Sequence, residues 1–565
     1  MCMNIRKLAI CFSIYSYLLC LFALLLSNIY EIGFDLSYGW LYPIMPCFLL
    51  YYIVCRLKRW AWIPVLIVLL LLFGEIFTLY FYYTPYSIHI VQLLINTNMQ
   101  ESQGFIREAV LSKPLLYTML SMCSIGVIAY GVMFAAQQIK YYWKYAIYPI
   151  LALVITSAVL LSFSYHTLYE RFQEEDVTYF VLHRDDKPCY FTPLTRLLNG
   201  IAYAHASSFL EEKVKKHLLE AQVETCSFDS PLIVMVIGES YDKYHTPLYN
   251  SNYRNTTPFL CNLRDKDSLL VYSDVVAPFN LTNELFHALF STCPYDSLGR
   301  WYDYPLFPAV FKKAGYKVSF LSNQFALHNN DIWNHYTGNI FYNPEMSALQ
   351  FDYHNSEVYA YDKQLLTLLP DTSALTSSPH LLIIHLMGQH VSYEQRYPSE
   401  YSFYTVENTE TMFGGYIGKK IVAEYDNSLR YNDDVIRQVI KYIMPLDAVL
   451  LYFSDHGEEC YDWRDAFMRT SESPIPKEVA KYQYETPLLV FMTEQYTIKH
   501  PDLSGDLKAA IHQPIYNSDM SNVLFHLAGI KTSTYYPNRD FLSPLYDPTI
   551  PRVLRFEVDY NELMK

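Results

Sequence analysis

The sequence predicts two structural classes in one chain. An α-helical membrane domain of five helices comes first, and an α/β domain follows, with a mainly parallel central sheet covered by helices on both faces. Three observations predict this. Five apolar runs of roughly 18–24 residues, each long enough to cross a hydrocarbon layer as a helix, lie within residues 1–163. Hydrophobic residues make up 52% of the 565 residues and charged residues only 17%, against roughly 25% charged in ordinary soluble domains. Charge is also segregated: residues 1–163 hold nine Lys/Arg and five Asp/Glu, and residues 164–565 hold 33 and 51. This composition excludes a disordered chain, a collagen and a coiled coil. The net charge of −14 argues against a nucleic-acid partner, which calls for a basic face.

The apolar runs are 8–28, 38–55, 60–83, 114–136 and 145–163. The first lacks a small-x-small cleavage site and four more follow, so it reads as a span and not a removed leader. The short run 38–55 also fits a buried or re-entrant helix. Arg6 and Lys7 precede the first run, Arg56, Lys58 and Arg59 separate the second from the third, and Lys140 and Lys144 separate the fourth from the fifth. The alternate connections carry none in 29–37, and Arg107 and Lys113 in 84–113. The positive-inside rule places the N-terminus in the cytoplasm, and five crossings deliver residues 164–565 to the other side.

Glu75 lies inside the third run, where a carboxylate is expensive; it reads either as a head-group or lipid contact, or as a helix-packing residue or a neutral acid. The loop 84–113, with Asn96, Thr97, Asn98, Glu101 and Glu108, reads as the lining of a lipid cleft or as a solvated connection. Beyond the membrane lie Cys189, Cys226, Cys261, Cys293 and Cys460, an odd number that leaves at least one unpaired within the chain.

Residues 164–230 read as a linker with helical stretches, and 231–565 as the α/β domain. Continuous apolar strands are expected at 231–237, 317–321, 381–386, 447–453 and 487–492, with helical patterns between them at 306–315 and 425–443. In such sheets ligands bind beyond the carboxyl ends of the strands. The first strand is followed by Glu239, the third by His390, and the fourth by Asp455 and His456. Carboxylates plus imidazoles at successive strand tips suit Zn²⁺, with Mn²⁺ a second fit. Glu458 and Glu459 read as supporting groups or, for at least one of them, as an exposed charge pair. So few protein ligands leave positions open, as catalytic sites do. Thr282 stands where a helix would begin, ahead of Leu285, Phe286, Leu289 and Phe290. It reads as an N-cap, or as a nucleophile whose phosphorylated form a helix N-terminus would hold.

VMVIGES (234–240), RNTTP (254–258), the Pro278–Thr282 segment, FLSNQ (320–324), HLMGQHVSYEQRYP (385–398), YDNSLRYND (425–433) and SDHGEE (454–459) occur in this order. With the N-terminal spans they resemble the membrane-bound phosphoethanolamine transferases of Gram-negative bacteria, in the alkaline-phosphatase/sulfatase superfamily. The resemblance implies an alkaline-phosphatase-like fold for residues 231–565. It implies that Thr282 is the residue that carries phosphoethanolamine. Glu239, Asp455 and His456 match the ligands that share a zinc ion with that Thr. His390 matches a His near the entering substrate that can hold a second zinc, and Asn323 matches a phosphoryl contact. One zinc is then required and a second is possible. The implied donor is phosphatidylethanolamine, from which Thr282 displaces diacylglycerol. The implied acceptor is a hydroxyl of lipid A or of the lipopolysaccharide core sugars. The implied setting is the bacterial inner membrane, with a monomer in the bilayer and its catalytic domain in the periplasm.

The chain departs from the pattern in places. Residues 461–486 hold no His, where several relatives carry one, and closely spaced Cys pairs are missing. Segments around Thr282 resemble those of transferases acting on outer-core sugars at least as well as the lipid A group. A phosphoglycerol transferase of the same superfamily would show nearly the same residues. A sulfatase activity fits less well, because Cys293-Pro294-Tyr295-Asp296-Ser297 does not match Cys-x-Pro-x-Arg. A non-catalytic scaffold with this fold is the reading from another class.

Overall fold

The protein is described from a computed structural model, and the described residues are all but 1–4, 30–38, 83–84, 87–89, 92–112, 139–142, 174–191, 296–299, 326–338 and 471–473. The chain divides into two compact units, Met1–Glu211 and Glu212–Lys565.

In the first unit, helices form at all five apolar runs: α1 (Ile5–Ile29), α2 (Ile44–Leu57), α3 (Trp62–Tyr82), α4 (Lys113–Gln138) and α5 (Trp143–Gln173), and α6 (Pro193–Glu220) begins there and ends past Glu211. Among the described residues four of them, α1, α3, α4 and α5, are long and apolar enough to cross a membrane. The fifth expected span falls short. α2 has 14 residues, about 21 Å at ~1.5 Å per residue, against a hydrocarbon layer of ~30 Å. Pro43 at its N-cap is the local cause, since the chain before a proline is pushed away from helix.

Leu19, Ala23 and Leu26 of α1 pack with Leu72, Ile76 and Leu79 of α3 and Ile125 of α4. Leu66, Ile67 and Leu70 of α3 and Val127 of α4 stay exposed, as side chains facing lipid would. Glu75 is fully buried. It forms an ion pair with Arg196 of α6 and accepts the Tyr86 backbone N–H at 3.1 Å, so of its two readings the structure shows the packing contact. Replacing Glu75 by Leu removes the carboxylate from a buried guanidinium. A loss of about 3–5 kcal/mol is expected, read as a lowered melting temperature in detergent, and Glu75→Leu combined with Arg196→Leu recovers part of it. The cleft proposed at Asn96, Thr97, Asn98, Glu101 and Glu108 lies outside the described residues.

The second unit is built on a seven-stranded sheet of β1 (Leu232–Gly238), β2 (Leu270–Tyr272), β3 (Lys317–Ser322), β4 (Tyr353–His354), β5 (His380–His385), β6 (Ala448–Ser454) and β7 (Leu488–Met492). The five expected strands are β1, β3, β5, β6 and β7, within one residue at each end. Spatial order is β2-β7-β6-β1-β5-β3-β4. The block from β6 to β4 is parallel, while β7 and β2 close one side antiparallel. The helices that matter to the site are α7 (Thr282–Phe290), α8 (Phe307–Ala314), α9 (Gly415–Ile443) and α10 (Met520–Ala528). Every residue of β1 is buried. Leu232, Val234 and Val236 join Val435, Ile436, Val439 and Ile440 of α9 in one core, and α10 also packs on β1. Burial on both faces is why β1 reads as an unbroken apolar run and not as an alternation.

Register then fixes the site. Gly238 pairs with Ser454, so Glu239 and Asp455 leave neighbouring strands side by side. Ile237 pairs with His385, and His385 with Ser322, which brings the segments after β5 and β3 to the same edge. Gly238 tolerates no side chain, because a Cβ would lie 2.4 Å from the Tyr452 hydroxyl. Of the extramembrane cysteines, Cys226, Cys261 and Cys460 are free thiols, Cys293 is buried, and Cys189 lies outside the described residues.

Candidate active site

Thr282 opens α7, and the helix is anchored by Leu285, Phe286, Leu289 and Phe290, all fully buried. The approach to it is pinned by Asn280, whose Nδ2 donates to Gln483 Oε1 at 2.8 Å and to the Thr470 carbonyl at 3.0 Å. The first-turn N–H groups of a helix lack intrahelical partners and carry the positive end of its dipole. Thr282 Oγ1 stands at that end. It lies 2.9 Å from both Glu239 Oε2 and Asp455 Oδ2, to either of which its one proton can be donated, and 3.4 Å from His456 Nε2. Glu239, Asp455 and His456 each offer an atom within 4.8 Å of the others, and all three are buried.

The surrounding backbone aims these groups. Asp455 Oδ1 accepts the N–H of Ser240 at 3.1 Å and of His456 at 2.7 Å, which leaves Oδ2 for Thr282. Ser240 holds φ +55°, a left-handed conformation strained for a residue with a side chain, and its hydroxyl donates to Glu239 Oε1 at 2.6 Å. His456 Nδ1 donates to the Gly457 carbonyl at 2.8 Å, which turns Nε2 toward Thr282 as an acceptor. Burial, reinforced by the Arg469 charge, pushes the His456 pKa down to about 3, so the imidazole is neutral. Burial opposes charge on Glu239, but His456, His390 and Arg469 outweigh it and hold that carboxyl well below the usual range. Burial and the adjoining Glu239 charge drive Asp455 well above it. Two buried carboxylates side by side, a neutral imidazole with an outward lone pair and a hydroxyl form a donor set that a divalent cation satisfies.

Of the residues singled out from the sequence, Glu239, Thr282, Asp455 and His456 therefore converge. His390 is not among the three groups that share that spacing, though its interaction with Glu239 reaches into the cluster. It lies on the loop after β5, where burial lowers its pKa and the Glu239 charge counteracts. Asn323 is buried with both ends of its amide engaged: Nδ2 donates to Asp362 Oδ1 at 2.8 Å, and Oδ1 accepts the Tyr359 N–H at 2.6 Å. Asp362 in turn accepts the N–H groups of Met387 and Gly388 at 2.8 and 3.0 Å, so Asn323 braces the loop that carries His390. The amide that reaches Glu239 is that of Gln324, Nε2 to Oε2 at 3.0 Å. Strand register explains this, since Gln324 stands two residues past Ser322 as Glu239 stands two past Ile237. Glu458 and Glu459 are both fully buried, which corrects the reading of an exposed pair. The Tyr393 hydroxyl donates to Glu458 Oε1 at 2.5 Å. Glu459 holds Arg464 at 2.6 Å and Gln483 at 3.0 Å, which ties the loop of His456 to the loop of Thr282.

Arg469 is the functional residue that sequence reasoning misses. Its guanidinium Nη1 lies 3.1 Å from Glu239 Oε1, 3.0 Å from His456 Nε2 and 3.7 Å from Glu458 Oε2. It stands in an irregular loop 13 residues after His456, and no periodic signal marks it.

A sequence comparison fits this geometry: the family model described as Sulfatase matches residues 231–530, which span β1, Thr282, Asp455 and His456. This chain belongs to the sulfatase family. Relatives of this sulfatase-family chain include phosphoethanolamine transferase EptC of Escherichia coli O18:K1:H7 (strain RS218 / NMEC), 27% identical over 329 residues, or 56% of this chain and 54% of that protein. Another is phosphoethanolamine transferase CptA of Salmonella typhimurium (strain LT2), 28% identical over 342 residues, or 58% and 56%. The chain spans about half the length of the curated relatives it matches. Among solved structures, the C-terminal periplasmic domain of EptC from Escherichia coli matches with a TM-score of 0.50 and 26% identity, over 60% of this chain and 95% of that one. The sulfatase-family fold here carries Thr282 at the head of its helix, with no Cys-x-Pro-x-Arg at Cys293.

Replacing Arg469 by Met leaves Glu239 and Glu458 buried without this cation. Chelator-treated protein is expected to lose about 3–5 kcal/mol of stability, read as a drop in melting temperature. Added Zn²⁺ is expected to narrow the deficit, because a divalent ion replaces the missing charge.

Proposed function

We propose that this protein transfers phosphoethanolamine from phosphatidylethanolamine, through a phosphothreonine at Thr282, to a hydroxyl of lipopolysaccharide, on lipid A or a core sugar. The observation that carries the reading is the convergence of the Thr282 hydroxyl, at a helix N-terminus, on Glu239, Asp455 and His456. The names of the relatives supply the transferred group and the class of acceptor. Four apolar helices suit a lipid donor. Residues 1–163 then form the membrane domain, 164–230 a linker and 231–565 the catalytic domain. The proposed setting is the inner membrane with a periplasmic site, on the lysine and arginine distribution and by likeness to a domain named periplasmic. The protein is taken to act as a monomer.

Glu239, Thr282, Asp455 and His456 would hold one Zn²⁺, with His390 available for a second. Bound there, zinc supplies a lowered pKa at the Thr282 hydroxyl and positive charge for the phosphoryl oxygens. Thr282 Oγ1 attacks phosphorus, its P–O bond forms as the bond to glycerol breaks, and diacylglycerol leaves with a proton. The first-turn N–H groups of α7 receive the phosphoryl charge, and Arg469 lies beside it. An acceptor hydroxyl then attacks the phosphothreonine, gives up its proton, and Thr282 is restored. His390 borders the entry, and Asn323 keeps its loop in place.

The test is peptide mass spectrometry of the purified full-length protein after incubation with phosphatidylethanolamine vesicles. The adduct is expected on the peptide that contains Thr282, and phosphatidylglycerol vesicles are expected to give none. An adduct from phosphatidylglycerol alone would assign phosphoglycerol transfer instead. Absence of adduct together with absence of bound zinc would leave a non-catalytic scaffold.

A further inference from the structure

A second convergence of side chains lies along the same backbone, past Glu239 and Ser240. Asp242 caps the single turn Lys243–His245, with Oδ1 accepting the Tyr244 N–H at 2.7 Å. Its other oxygen, Oδ2, is buried and has no hydrogen-bond partner, and it lies 3.8 Å from His245 Nε2. Asp462 repeats the arrangement from the loop after His456: Oδ2 accepts the Cys460 N–H at 2.7 Å, and Oδ1 lies 3.1 Å from the same His245 nitrogen. His245 Nδ1 lies 2.7 Å from Asp426 Oδ1 on α9 and 2.8 Å from the Tyr253 hydroxyl. Asp426 Oδ2 accepts that hydroxyl at 2.9 Å and is also paired with Arg254.

Each of the three groups thus has one polar atom tied down and the other aimed at a common point. A buried carboxylate oxygen without a donor is costly and calls for a partner. A histidine whose Nδ1–H is held by a carboxylate presents Nε2 as a fixed lone pair, the arrangement that orients metal-binding imidazoles. Zinc bonds to such donors are about 2.0–2.2 Å, which places tetrahedral ligand atoms about 3.4 Å apart, and the observed 3.1 and 3.8 Å bracket that spacing. An imidazolium shared between Asp426 and Asp462 is the competing account, and it leaves Asp242 Oδ2 without a donor.

We infer that Asp242 Oδ2, His245 Nε2 and Asp462 Oδ1 form a second binding site for a divalent cation of the zinc class, with Asp426 orienting the imidazole. The site shares no ligand with the transfer chemistry. Its ligands come from the segment after Glu239 and from the loop after Asp455 and His456, so a bound ion clamps the two loops that carry the transfer-site ligands.

The test strips the purified full-length protein with chelator, retitrates it with Zn²⁺ and counts bound ions per chain by mass spectrometry of the metal. Asp242→Asn, Asp462→Asn and His245→Gln are each expected to lose one equivalent relative to the wild type. Asp455→Asn loses a different one, so that Asp455→Asn combined with Asp462→Asn loses two. X-ray absorption of the zinc-loaded Asp455→Asn protein guards against a misfolded variant and is expected to show one imidazole among oxygen ligands. Asp242→Asn and Asp462→Asn proteins that keep the full count, or an Asp455→Asn spectrum without imidazole, overturn the inference. Failure to find the Thr282 adduct while this count holds would sink the proposed reaction alone.

Discussion

Thr282→Ala protein is expected to gain no phosphoethanolamine and to lose transfer by at least ~10⁴-fold, the scale seen when a nucleophile that acts as part of a unit is removed. The expectation rests on placement. Oγ1 is the atom that Glu239, Asp455 and His456 share, and Ala leaves no oxygen at the helix N-terminus to form the phosphoester. The fold should be little affected, because α7 is held by Leu285, Phe286, Leu289 and Phe290 and not by Thr282. Thr282→Ser, which retains a hydroxyl, is expected to keep the adduct at a reduced rate. Adduct of undiminished yield on the Ala protein would mean that another group attacks phosphorus.

Asp455→Asn is expected to release the transfer-site metal and to reduce turnover at least ~10³-fold, while stability without metal is unchanged or higher. The two effects have one cause. Asp455 is buried beside the Glu239 charge, and both burial and that charge drive its carboxyl well above the usual range. A neutral amide relieves this repulsion and can still accept from the Ser240 and His456 N–H groups that Asp455 Oδ1 now serves. What it cannot supply is the second negative charge that a divalent ion needs. Metal content and the melting temperature in chelator separate the outcomes: an Asn protein that unfolds while retaining its metal would make Asp455 a structural residue. Such opposition between stability and activity is expected where like charges are gathered for catalysis.

The sheet was largely legible in the sequence. β1, β5, β6 and β7 read as nearly continuous apolar runs because both of their faces are covered, and β3 is carried by Val318, Phe320 and Leu321 between polar residues. β2 and β4 were not found, since Leu270–Tyr272 and Tyr353–His354 are too short to rise above the background of an aromatic-rich chain. The apolar run at 38–55 is longer than α2 because hydropathy averages across Pro43, where the helix begins. Of the two readings of Glu458 and Glu459, the exposed pair fails and the supporting groups remain, since a pair of carboxylates says nothing of Arg464 and Arg469, which stand beside it.

The sequence by itself determined the apolar helices, the five longer strands of the sheet, and the four side chains, Glu239, Thr282, Asp455 and His456, that the fold brings together. These follow from local apolar pattern and from residue chemistry, which the linear chain carries. The tertiary structure alone decided that Gln324 reaches Glu239, that Asn323 braces the Met387–His390 loop, and that Arg469 enters the cluster. It also decided that Asp462 meets Asp242 across more than two hundred intervening positions. Those choices depend on strand register and on the path of irregular loops, and neither leaves a period along the chain from which it could be read.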